Sequence, residues 1–126
     1  MSGEALLVVD DNAANLKLAR IVLEDAGYDV RTAGDANDAL GLLKTFTPRL
    51  ILMDVQMPGM DGLELTRRLK QEPERASIVI VALTAHAMPG DEERVRAAGC
   101  DGYITKPLNP LILAEQVAGY LVRSSL

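Results

Sequence analysis

Five residues suited to metal or phosphate chemistry stand at the ends of short apolar runs. Asp10 and Asp11 follow ALLVV, Asp54 follows LILM, Thr84 follows IVIVAL and Lys106 follows GYIT. If those runs are strands of one parallel sheet, their carboxyl ends share an edge, and ligands bind in the crevice outside it where strand order reverses. Residues far apart in the sequence then meet. Three carboxylates, a hydroxyl and an ammonium gathered there suit a divalent cation and a phosphoryl group.

Converging carboxylates need compensation, because two unit charges about 4 Å apart repel by roughly 4 kcal/mol at an effective dielectric of about 20. Relief can come from protonating one carboxyl, from pairing with Lys106, or from a cation that prefers oxygen ligands and water, such as magnesium. The plainer alternative is that Asp10 and Asp11 only cap the helix that follows them, a common task for aspartate. A third strand-end carboxylate, Asp54, favours the cation. Asp54 is also the best-placed nucleophile, since a carboxylate attacks phosphorus once its own charge and that of the incoming group are neutralised. Lys106 can set a point charge on one phosphoryl oxygen and Thr84 a hydroxyl on another, while the small Ala85 leaves access open. Taken singly, a solvated lysine before a proline and a threonine at a strand end are ordinary features. Their joint placement carries the reading.

Length and composition set the bounds. At 126 residues the chain has the size of one domain, with no Pro/Ser-rich linker to divide it. Hydrophobic residues make up 48% and aromatics only 3%, so aliphatic side chains must fill the core. A net charge of −5 and a pI near 4.8 argue against nucleic-acid or anionic-membrane binding, which calls for a basic patch. Cys100 is the only cysteine, which precludes an intrachain disulfide and fits a reducing compartment. Residues Met1 to Glu4 lack the character of a signal peptide, and no apolar run approaches membrane-spanning length, so a cytoplasmic protein is expected.

The elements follow from periodicity and punctuation. Ala5 to Val9 reads as a strand buried on both faces, and Leu16, Ala19, Val22 or Leu23 and Ala26 recur at helical spacing until Gly27. Asp29 to Ala33 reads as a second strand, followed by a helix capped by Asp35 that buries Ala39, Leu40, Leu43 and Phe46 before Pro48. Leu50 to Met53 is a third strand, closed by Asp54 and a turn, with a helix over Leu63 to Glu72 that has Asp61 near its start. Ile78 to Leu83 is the most β-branched strand, and Asp91 to Ala98 forms a helix stopped by Gly99. Gly102 to Thr105 makes a short fifth strand, and Asn109 with Pro110 begins a last helix that runs to about Val122. Five strands alternating with five helices predict an α/β fold with a parallel sheet covered on both faces.

Beyond these patterns, the segments LLVVDDN, LILMDVQMPGMDG and VALTAHAMPGDEERVRAAGCDGYITKP, with their spacing, resemble the receiver domain of bacterial two-component response regulators. The similarity runs from Ala5 to Leu121, and the stretch ALTAHAMPGDEERVRAAGCDGYITKP is most similar to DivK-like single-domain regulators and to receivers attached to hybrid histidine kinases. The resemblance implies a flavodoxin-like receiver fold with strand order 2-1-3-4-5, in which residues 1–126 form one receiver domain without an output domain. It makes Asp54 the phosphoacceptor. It makes Asp11, Asp54 and the backbone carbonyl of Gln56 direct magnesium ligands, with Asp10 a ligand through water. Thr84 and Lys106 become the switch and phosphate-binding pair, and Tyr103 the switch aromatic that turns inward as the Thr84 hydroxyl moves toward the phosphoryl group. The Lys106–Pro107 bond is expected to be cis, and His86 falls at a position thought to tune dephosphorylation. A lone histidine is more often an incidental surface residue. Met57, Met60 and Met88 flank the site and suit either an adaptable partner surface or core filling.

The function implied is a signalling switch in a phosphorelay. A histidine kinase or phosphotransfer protein supplies the phosphoryl group, and the changed surface around helix 4 and strand 5 alters binding to a downstream protein or to a second copy in a weak homodimer. Such a domain assists its own phosphorylation and hydrolysis without turning over a separate substrate. Two alternatives stand beside it. One is the excised receiver of a hybrid histidine kinase. The other is a phosphatase of the haloacid dehalogenase type, which places its nucleophile in an Asp-x-Asp after its first main strand, whereas here Asp10 and Asp11 are adjacent.

Overall fold

The computed structural model describes residues 3–57, 61–85 and 90–124, and every expected element is present within them. The strands are β1 (Ala5–Val9), β2 (Asp29–Ala33), β3 (Leu50–Asp54), β4 (Val79–Thr84) and β5 (Gly102–Thr105). They alternate with helices α1 (Ala13–Asp25), α2 (Ala36–Leu43), α3 (Gly62–Gln71), α4 (Asp91–Ala97) and α5 (Leu113–Ser124). All pairings are parallel, and the sheet order is β2-β1-β3-β4-β5. The chain reverses direction across the sheet between β1 and β3, which makes their carboxyl ends the switch point.

Alternation along each strand divides the core in two. Leu7, Val9, Ile51, Met53, Ile80 and Ala82 face one way and pack against α2, α3 and α4. Leu6, Val8, Leu50, Leu52, Val81 and Leu83 face the other way and pack against α1 and α5. Successive side chains of a strand point to opposite faces, so a strand buried on both reads as one unbroken apolar run.

Caps set the helix limits. The Oδ1 atoms of Asn12, Asp35 and Asp61 accept the N–H of Asn15, Asp38 and Glu64 at 3.0, 2.8 and 2.8 Å, each satisfying an orphan donor of a first turn. Gly27 and Gly99 follow α1 and α4 at φ 100° and 107°, where a side chain would be strained.

Two helix boundaries differ from the sequence expectation by three residues or more. Helix α2 ends at Leu43, whose carbonyl accepts from the Arg75 guanidinium at 3.1 Å, so Phe46 is buried from the following turn and not from the helix. Helix α5 begins at Leu113, not at Pro110, because Asn109 first builds a tight turn. Its Oδ1 takes the N–H of Leu111 at 2.9 Å, and its carbonyl takes those of Ile112 and Leu113. Among the described residues, no helix is long and apolar enough to cross a membrane.

Candidate functional site

Strand ends deliver the site residues to one edge of the sheet. The Asp10 N–H donates to the Ala33 carbonyl at 3.1 Å, which fixes the chain just past β1 against the end of β2. Asp54 is the last residue of β3, in register with Leu83 of β4, and the Lys106 N–H donates to the Thr84 carbonyl at 2.7 Å. The Lys106–Pro107 bond is cis. Helix α3 closes on the same point, since a Cβ built on Gly62 would collide with the Asp54 carbonyl oxygen.

Asp10, Asp11 and Asp54 each bring a carboxylate oxygen within 4.8 Å of the others. Asp10 and Asp54 are buried, at 0% and 3% exposure, whereas Asp11 opens to solvent. The Lys106 ammonium spans the two buried carboxylates, 3.0 Å from Asp10 Oδ2 and 3.2 Å from Asp54 Oδ1. Asp54 Oδ1 also accepts the Gln56 N–H at 3.1 Å. Asp10 Oδ1 accepts the Asn12 N–H at 2.9 Å, and its Oδ2 accepts from the Asn15 carboxamide at 3.3 Å.

Burial disfavours the Asp54 carboxylate and the neighbouring Asp10 charge adds to the effect, so its pKa is pushed up to about 6 despite the Gln56 N–H and Lys106. Lys106 responds in the complementary way. Its own burial works against the ammonium, but the hydrogen bond and charge of Asp10, with those of Asp54, outweigh it and raise the pKa above the ordinary lysine value.

The remaining expected residues lie close by or elsewhere as follows. Thr84 is buried at the end of β4, and Ala85 after it is exposed. Gln56 is exposed, and Met57 packs into the core on the α2, α3 and α4 side. Tyr103 is half-buried and points to α4, where its hydroxyl donates to Glu92 Oε1 at 3.2 Å. Its backbone carbonyl accepts from the Tyr120 hydroxyl of α5 at 3.1 Å. His86, Met60 and Met88 lie outside the described residues.

Sequence reasoning did not single out Asn12, Asn15 or Glu92. The cap of α1 is Asn12, not Asp10 or Asp11, and its backbone N–H also serves Asp10. Glu92 belongs to an acidic first turn that reads as a solvated face. The one available signal for Asn15 was its spacing, five residues after Asp10 and one helical turn after the cap.

Hard oxygen donors in this number fit a divalent cation of the magnesium or calcium kind, and no thiol competes, as Cys100 is buried beside Thr66 of α3. A parallel α/β sheet in this order, with acidic and lysine side chains meeting at its switch point, defines a CheY-like receiver. The chain belongs to the response regulator receiver domain family, which matches it over residues 6–118. It is therefore a receiver of two-component signalling. It is 42% identical to the polar-differentiation response regulator DivK of Brucella anthropi over 94% of this chain and 96% of that protein. Among solved structures, the chemotaxis response regulator CheY4 of Vibrio cholerae superposes with a TM-score of 0.89 at 29% identity, covering 94% of this chain and 99% of that one. The signal receiver domain of a histidine kinase from Syntrophus aciditrophicus gives a TM-score of 0.86 at 33% identity, over 96% and 92% of the two chains.

Proposed function

We propose that this chain is a magnesium-dependent phosphoacceptor whose modified form binds a downstream protein. The observation that carries the reading is the Lys106 ammonium lying between two buried carboxylates in a pocket that also holds Asp11. Asp11, Asp54 and the Gln56 carbonyl would hold magnesium directly, with Asp10 acting through water. Bound there, the cation neutralises charge on the carboxylate and on the phosphoryl oxygens.

An Asp54 carboxylate oxygen attacks the phosphorus of a phosphohistidine. The new O–P bond forms as the N–P bond breaks, and the imidazole keeps the electron pair and takes a proton from solvent. Lys106 turns from the carboxylates toward a phosphoryl oxygen, and Thr84 donates its hydroxyl to another. The reading gives Tyr103 the role of following Thr84 inward, away from Glu92, so that the surface of α4 and β5 changes.

The donor is a histidine kinase or a phosphotransfer protein in the cytoplasm, and the output is a protein contact, possible also between two copies of the chain. No nucleic acid takes part, in keeping with a net charge of −5. The domain modifies itself and turns over no separate substrate. Residues 1–126 act as a single receiver, which the near-complete coverage of DivK supports. The second reading, a receiver working within a hybrid histidine kinase, draws on the Syntrophus aciditrophicus neighbour.

Intact-mass analysis after treatment with acetyl phosphate and magnesium tests the nucleophile. Wild type gains one phosphoryl group and Asp54→Asn gains none. Equal adducts on both proteins would remove Asp54 from its role.

A further inference from the structure

Asp10 is completely buried, yet its carboxylate makes three hydrogen bonds, and two of them come from the first turn of α1. Asn12 gives its backbone N–H to Oδ1 at 2.9 Å, and Asn15 gives its carboxamide to Oδ2 at 3.3 Å. The two asparagines are themselves joined, because the Asn15 N–H donates to Asn12 Oδ1 at 3.0 Å. Asp10, Asn12 and Asn15 thus form a closed ring of three hydrogen bonds at the lip of the pocket. A helix cap needs only the last of these bonds. The reach of the Asn15 side chain back to Asp10 is additional and holds the carboxylate in one orientation.

We infer that Asn15 is a positioning residue of the cation site, acting through Asp10. The inference rests on the magnesium reading above. Its chemistry follows from the shared oxygen. Asp10 Oδ2 has two donors, and one of them, Lys106, also reaches Asp54. In the proposed transfer Lys106 leaves for the phosphoryl group, and a buried carboxylate that loses its counter-charge needs a remaining partner. Asn15 is neutral, so it orients Asp10 without competing with a cation for charge. Groups that orient a metal ligand from behind contribute to affinity without touching the ion.

The test is magnesium titration of the intact protein by calorimetry, beside 15N spectra of the side-chain amides. Asn15→Leu keeps the branched shape and favours the helix but removes the donor, and its Kd for magnesium is expected to weaken about five- to tenfold. Asn15→Gln restores a carboxamide and should recover part of that loss, which a purely structural role in α1 would not predict. In wild type the Asn15 carboxamide resonance should shift as magnesium is added. A Kd for Asn15→Leu equal to wild type overturns the inference and leaves the cation site standing, whereas a wild type that takes up no magnesium overturns the site itself. Should Asn15→Leu fail to fold, an Asn15 resonance that ignores magnesium in wild type overturns the inference alone.

Discussion

In the proposed transfer Asp54 meets two opposed demands, since it is buried at the end of β3 and has to be ionised to attack phosphorus. Its pKa near 6, against an ordinary value of 3.8, has a consequence for stability. Between about pH 4 and pH 6 the folded protein binds more protons at this group than the unfolded chain does. The neutral carboxyl therefore favours folding below that window, and the advantage is lost as pH rises through about 6. Asp54→Asn cannot lose it. In buffer with a chelator, the variant should melt at a higher temperature than wild type at pH 7.5, by about 4 °C for about 1 kcal/mol, and the two should converge near pH 4. Thermal melts that run parallel across this range would contradict the assigned shift. The aspartates, Thr84 and Lys106 were legible in the sequence because each interrupts an apolar run, where a polar residue has few reasons to stand. Asn15 and Glu92 were not. On a helix surface a functional amide or carboxylate has the same pattern as a solvated one, and only the fold shows what it reaches.

At the scale of elements, glycine separates what sequence can and cannot say. Gly41 and Gly62 both lie in helices, and both would read as propensity defects. Space around them decides the matter. A Cβ at Gly41 meets nothing within 4 Å, so Gly41→Ala should stabilise the protein by about 0.5–1 kcal/mol. A Cβ at Gly62 collides with the Asp54 carbonyl and the Met53 side chain. Gly62→Ala should cost about 3 kcal/mol and slow labelling of Asp54, because α3 has to back away from the end of β3. Urea unfolding of the two variants checks the opposite signs, and a shared sign would refute the account. The same limit explains where α2 ends. The five strands and their order of appearance follow from local apolar runs, but α2 stops where Arg75, from a distant turn, takes the Leu43 carbonyl. Long-range contacts of this kind leave no local trace. The 2-1-3-4-5 order is likewise nonlocal, and the family resemblance, not strand periodicity, supplied it.

At the scale of the molecule, β1, β3 and β4 are buried on both faces, and two separate apolar layers grip them. The pocket sits at the rim where those layers end, on backbone that the sheet holds in register. Rigidity of the floor and mobility of the side chains above it are then compatible. Lys106 adds a further property. Because the chain carries its own counter-ion between the two buried carboxylates, the acidic cluster is partly compensated from within, and the fold is expected to persist without an outside ion. Saturating EDTA should leave the far-ultraviolet circular dichroism spectrum and the cooperative melt intact, unlike a structural zinc domain, which unfolds when stripped. Loss of the folded spectrum on chelation would refute this. On the proposed magnesium reading, a domain of that kind can be emptied and refilled as the ion's concentration changes while its scaffold persists, so that reactivity can be withdrawn without the molecule being lost.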